Sequence, residues 1–325
     1  MHTLTLALFD IETSNNPFVE TGSTGSWPLR PLDEIGFAIG IVRFVTYIKQ
    51  PNGHVGRARR CENVHFGAVP FVDDLLRPWA HAAVGYNALH FDNPVAVAAA
   101  VYERPGVYVA GNLGPSPSDV ERIRARLGSV GLPPSAAVHV ARLSESEREG
   151  LFNRKRLNQD HSRLIPPGAV GIAARRDDVL DTLNARTFDP LAVLGEITGH
   201  PHVAKLDYFR EGMEMKPYLV DGSEVSGADV PRMWQEGLVW SCVDKCRHDL
   251  DVLEELMHCA FFGGKAARLQ TPRLNRFYTG PDGKRVEVPL EAWHAPAADA
   301  GVRNRFRIPT GDWWDRVSDI AASAR

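Results

Sequence analysis

Apolar positions in this chain fall into two rhythms, and the change from one to the other marks its elements. The short apolar run from Leu4 to Phe9 reads as a buried strand. Ile35 to Ile48 is β-branched and aromatic and predicts a long strand. Asn52-Gly53 is a hairpin turn signal, so a partner strand is expected near Gly56–Val64. Phe66 to Trp79 predicts a helix, with Phe71, Leu75, Leu76 and Trp79 on one side. A short strand over Ala83–Tyr86 and an Ala/Val-rich helix to about Tyr102 follow.

Seven prolines interrupt residues 103–176, where two helices fit. One starts at Ser116-Pro117, carries Val120, Ile123 and Leu127 on its apolar face and ends at Gly128. The other starts with the capping-box spacing of Ser144 to Glu147 and carries Arg154-Lys155-Arg156. Asp178 to Leu183 resembles a strand, and Asp189 to Gly199 an amphipathic helix with Leu191, Leu194 and Ile197 inward. Asp229 to Phe262 is the strongest helical region, capped by Asp229 and broken at Gly237. Its second piece repeats Val239, Val243, Cys246, Leu250, Leu253 and Met257 at spacings of four and three, one buried stripe. Beyond Gly263-Gly264 the pattern turns to short strands, with alternation over Arg303–Ile308 and a final helix led by Trp313-Trp314.

With 325 residues and 44% hydrophobic content, the chain can bury a sizeable core. Net charge is −3, but residues 265–307 hold nine Lys/Arg against four acids, so that segment is +5 and the remainder −8. A basic appendix on an acidic body suits contact with a phosphate backbone, and equally an ordinary solvated surface. Four scattered cysteines do not make a disulfide framework. Cys242 and Cys246 belong to a helical stripe, which argues for core packing over zinc. Met1 leads into a strand-like run, not a signal peptide, and no apolar stretch approaches ~20 residues. The expectation is therefore a cytoplasmic protein without a membrane segment.

The chemistry begins at Asp10 and Glu12. On a strand, side chains two residues apart project to one face, so two carboxylates point together beside a core. A hard divalent cation is the natural partner for such a pair. Asp92 then opens a helix after a strand and a Tyr-Asn turn, and Asp249 lies at the edge of the buried stripe.

Over roughly residues 4–262 these acids resemble the DEDD superfamily of 3′–5′ exonucleases. Phe9-Asp10-Ile11-Glu12-Thr13 is similar to its first motif and Asn87-x-x-x-Phe91-Asp92 to its second. Met233 to Gly237 with Cys246 to Leu253 resembles the third and its lead-in. Gly199-His200 through Asp207 resembles the branch related to the proofreading domain of family-B DNA polymerases. The resemblance implies an α/β, RNase H-like fold: a mixed five-stranded sheet flanked by helices, here with an irregular insertion. It places the exonuclease domain at 1–262, with 103–176 as insertion or lid, and a β-rich basic extension at 263–325. It also implies two Mg²⁺ or Mn²⁺ ions held by Asp10, Glu12, Asp92 and Asp249, with Thr13, Asn87 and Phe91 near the terminal nucleotide.

One position departs from the pattern. The third motif normally carries Tyr four residues before its Asp, or His five before. Here Lys245 and Asp244 stand there. Lys245 shares a helix face with Asp249 and is a candidate to orient water or contact phosphate, most of all with a depressed pKa. Asp244 is a further candidate base, and His248, pointing about 100° away from Asp249, reads as surface.

The implied activity is 3′–5′ hydrolysis of single-stranded or frayed DNA ends to nucleoside 5′-monophosphates. An RNA exonuclease on the same scaffold and a non-catalytic end-binding relative stay open. So do the setting (repair, phage replication or phage defence) and the oligomeric state, a homo-oligomer included.

Overall fold

The computed structural model describes residues 2–16, 35–103, 117–129, 179–200, 202–261, 268–279, 284–288, 306–309 and 312–323. The expected helix beginning at Ser144, the Arg154-Lys155-Arg156 cluster, Arg303 and Arg305 lie outside them.

A mixed sheet forms the centre. Strand β1 (His2–Thr13) pairs antiparallel with β2 (Phe37–Lys49), and β2 antiparallel with β3 (Val55–His65). On the other side of β1, the short β4 (Ala82–Val84) and β5 (Thr187–Phe188) add in parallel, giving the order β3-β2-β1-β4-β5. Period-two alternation divides β1 between two cores. Leu4, Leu6 and Leu8 face one, Ala7, Phe9 and Ile11 the other. Asp10 and Glu12 continue the Leu8 side. β4 ends at Val84, paired with Leu8, so among the described residues no strand pairs with the last residues of β1 on that edge, where Asp10 and Glu12 stand.

Helices cover both faces. Helix α1 (Ala68–Leu75) and α2 (Asn93–Glu103) pack on the Phe9 face. Helix α3 (Pro117–Ser129) buries Ile123 and Leu127. The region expected to be a strand over Asp178–Leu183 is instead helical at 179–185. Val179, Leu180 and Leu183 are three and four residues apart, which suits one helix face against the second core better than an alternating strand. The strand comes next, as β5.

On the opposite face lie α4 (Pro190–Thr198), α5 (Leu206–Gly212), α6 (Val230–Gln235) and the long α7 (Val239–Phe261). Gly237, at φ +80°, separates α6 from α7 where a side chain would be strained. Asp229 does not cap α6 with its side chain. It folds back onto Ser226, accepting from that residue's backbone N (2.9 Å) and Oγ (2.7 Å). The α7 stripe is buried along Val243, Cys246, Leu250, Leu253 and Met257, packed against β1 and β2. Each such side chain contributes ~1.5–3 kcal/mol.

The C-terminal residues join the same core. Strand β6 (Arg268–Thr271) pairs with β9 (Phe306–Pro309), while β7 (Phe277–Thr279) and β8 (Arg285–Glu287) form a separate ladder. Helix α8 (Trp313–Ser323) sets Trp313 against Phe188 and Trp314 against Phe261, with ring centroids 5.4 and 5.1 Å apart. Several basic residues of this segment are already matched: Arg273 pairs with Glu211, and Arg276 with Glu287 at 3.1 Å. No helix among the described residues is long and apolar enough to cross a membrane.

Candidate metal centre

Asp10, Glu12 and Asp249 meet at the end of β1. Each offers a carboxylate oxygen, and these oxygens all lie within 4.8 Å of one another. Two come from alternate positions of β1, the third from α7, whose Cys246 thiol donates to the Asp10 carbonyl at 3.5 Å. Glu12 is buried, and its Oε1 has no hydrogen-bond partner. A buried oxygen left bare costs several kcal/mol unless a cation or donor meets it. This oxygen is the observation on which the donor set fits a hard divalent cation.

Electrostatics agree with the geometry. Burial, then the charge of Asp249, pushes the Asp10 carboxyl up to about 7 against the opposing pull of Lys245. Burial and Asp10 raise Glu12 well above the usual carboxylate range, and burial raises Asp249 although Lys245 works against it. Three crowded, largely buried acids cannot all ionise cheaply without positive charge beside them.

Asp92 comes from a third segment, Ala88–Asp92. It is buried and stands outside the set of mutually close oxygens, but its carboxyl is raised by burial and then by the charges of Asp10 and Asp189. It ends a π turn, Ala88–Asp92, entered through Asn87 in the left-handed conformation at φ 63°. The turn follows Gly85, where a Cβ would sit 2.7 Å from the Phe9 ring, so only glycine fits. Asp189 holds the turn. Its carboxylate caps α4, accepting from Leu191 N at 2.9 Å and Ala192 N at 3.4 Å, and also accepts from Asn87 N at 3.0 Å and Leu89 N at 3.1 Å. On the far side, Asn93 donates to Asn184 and Thr187. From sequence, Asp189 reads only as the first residue of the Asp189–Gly199 helix. Its second role could have been sought in a cap followed by Pro at the strand next to the motif-bearing turn.

The remaining candidates sort as follows. Thr13 is buried and its hydroxyl donates to the Asn15 carbonyl at 2.9 Å. The Asn87 Oδ1 is buried and unpartnered beside the turn. Phe91 is half-buried against the second core. Lys245 is buried and ion-paired with Asp249. Burial alone would lower its pKa, but Asp249, Glu12 and Asp10 outweigh burial and raise it, so the amine stays charged. Asp244 is exposed and paired with Arg247 at 3.2 Å. His248 is not a surface group: it is half-buried, its ring 6.1 Å from that of Tyr218 and its Nε2 unpartnered. Cys242 and Cys246 are buried in the core. A cleft of about 350 Å³ beside the turn, lined by His90, Leu191, Glu196 and His202 among others, contains none of the acids.

No protein-family model, curated protein or solved structure matches the chain.

Proposed function

We propose that the chain is a metal-dependent 3′–5′ exonuclease of the DEDD type on an RNase H-like scaffold, hydrolysing DNA from single-stranded or frayed 3′ ends. The observation that carries this reading is the convergence of Asp10, Glu12 and Asp249, from two elements about 240 residues apart, with oxygens within 4.8 Å. The mixed five-stranded sheet, with antiparallel β3-β2-β1 and parallel β1-β4-β5, is the kind of scaffold this reading calls for. Asp92 arrives on its own turn, clamped by Asp189, just before α2.

The family resemblance implies two Mg²⁺ or Mn²⁺ ions. When bound, a divalent ion polarises the phosphoryl group and offsets charge growing on the attacking and leaving oxygens. The residues supply the rest. Asp10 and Glu12 present rigid strand-borne oxygens, so little reorganisation precedes reaction. Lys245, held protonated, is a charge rather than a base. Asp244, turned out toward Arg247, is not aimed at the acids. Asn87, with its buried free carbonyl oxygen, can accept from a sugar hydroxyl or a base at the terminal nucleotide.

The test uses 3′-labelled and 5′-labelled single strands of DNA and RNA with Mg²⁺ or Mn²⁺. Stepwise loss from the 3′ end of DNA, abolished by Asp10→Ala, is expected. Faster loss of RNA would reassign the substrate. Binding without degradation in either metal would leave an end-binding protein and reject the enzyme.

A further inference from the structure

Lys245 stands one helical turn before Asp249, where the third motif normally carries an uncharged tyrosine. Its side chain is 7% exposed, and its ammonium is ion-paired to the Asp249 carboxylate. From there its charge also bears on Glu12 and Asp10. The i,i+4 placement on α7 fixes its direction into the cluster, since both residues lie on the face packed against β1. A lysine buried this deep must find its negative charge locally. It finds it in the acids that the proposed reading assigns to metal.

We propose that the Lys245 ammonium is a built-in cation of this centre, standing in for one of the two divalent ions of a two-ion site. The centre then takes a single Mg²⁺ or Mn²⁺. This rests on the acid cluster being a metal site. The charge balance supports it: the three clustered carboxylates are neutralised by one ammonium and one dication. Asp92 stands outside the set of mutually close oxygens that the ammonium and one dication balance. A second dication added to the three carboxylates and the ammonium would leave surplus positive charge. The oxygens also divide accordingly. Asp249 Oδ2 is engaged by Lys245, while Glu12 Oε1 is bare and buried. The single ion is assigned to the Asp10/Glu12 side.

Counting bound Mn²⁺ by electron paramagnetic resonance and calorimetry tests this without relying on activity. Saturating thymidine monophosphate is included so that a phosphate-bridged ion is also counted. Wild type is expected to bind one Mn²⁺ per chain, and Lys245→Arg one. Lys245→Met and Lys245→Tyr are expected to bind two. Without metal, Lys245→Met is expected to melt below wild type, and Mn²⁺ to close the gap. A lysine with only a structural role would leave the gap open. Two ions in wild type overturn the proposal while the nuclease reading stands. One ion in wild type and two in Lys245→Met, without strand hydrolysis, uphold it while the nuclease reading falls. No Mn²⁺ on either protein overturns it together with the metal site. The wild-type count holds even if a variant does not fold.

Discussion

At Asp189 one carboxylate serves two segments that lie about 100 residues apart. It caps α4 and fixes the turn that presents Asp92, four backbone N–H contacts in all. Asp189→Ala strips the cap, worth ~1 kcal/mol, and leaves two N–H groups of the turn without their acceptor, each ~1 kcal/mol. A loss of about 2–4 kcal/mol in urea unfolding is expected. Nuclease rate should fall further than stability alone explains, because Asp92 loses its support. Asp189→Asn keeps a cap and should recover much of the stability and part of the rate. An alanine variant with an unchanged rate would reject the positioning role. That a helix begins at Asp189 was legible, because an amphipathic pattern is local to its own stretch of chain. The reach to Asn87 and Leu89 was not, because spacing along the chain says nothing of a partner brought over by β4 and β5. Lys245 shows the same boundary: its helix face followed from periodicity, whereas its depth and its raised pKa depend on β1 lying beneath it.

Among the elements, α7 bears the most. It carries Asp249 and Lys245 and is fastened to the sheet by charge as well as by its apolar stripe. Arg43 of β2, almost wholly buried, reaches Glu62 on β3 (2.8 Å) and both Asp251 (2.8 Å) and Glu254 (3.2 Å) on α7. Arg57 and Arg60 add further pairs to Glu254. The stripe was plain in the sequence, but this network was not. Its members are scattered over β2, β3 and α7, and an arginine in the middle of an apolar strand gives no hint of its partners. Residues 179–185 failed for another reason. Val179, Leu180 and Leu183 are too few in so short a run to establish a helical period from sequence, and packing of all three on one core made it a helix. Removing one member of a buried pair costs ~3–5 kcal/mol. Since Arg57 and Arg60 still reach Glu254, Arg43→Met is expected to lose about 3 kcal/mol in denaturant unfolding. Arg60→Ala, half-exposed, should cost under ~1 kcal/mol. Equal costs for the two would mean that the buried pairing does not hold α7 in place.

Across the whole molecule, two populations of carboxylates oppose each other in pH. Burial works to raise Glu62 and Asp74, but their hydrogen-bonded partners (Arg247 and Arg43 for Glu62; Asn63, Arg77 and His65 for Asp74) outweigh it and hold both below the usual range. Their stabilisation is complete above the unfolded pKa of ~4 and is lost as pH falls through their folded values. The site acids behave oppositely. With Asp10 at about 7, and Glu12, Asp92 and Asp249 also raised, the folded chain keeps protons that the unfolded chain has released. Without a divalent ion, these acids therefore lower stability as pH rises from ~4 toward 7, by up to about 1.4 kcal/mol per pH unit for each such group. His202, His248 and His258, lowered by burial, act in the other direction below ~6.5. Comparing metal-bound with metal-free protein separates the two effects, because a cation at Asp10 and Glu12 favours the ionised carboxylates directly. The rise in melting temperature on adding Mn²⁺ is expected to grow steadily from pH 5 to 7.5, and binding near pH 6 to release protons in a buffer-dependent calorimetric heat. Asp10→Asn should flatten both trends. A Mn²⁺ stabilisation that is constant across this range, with no proton release, would mean that the ion does not bind where these acids converge.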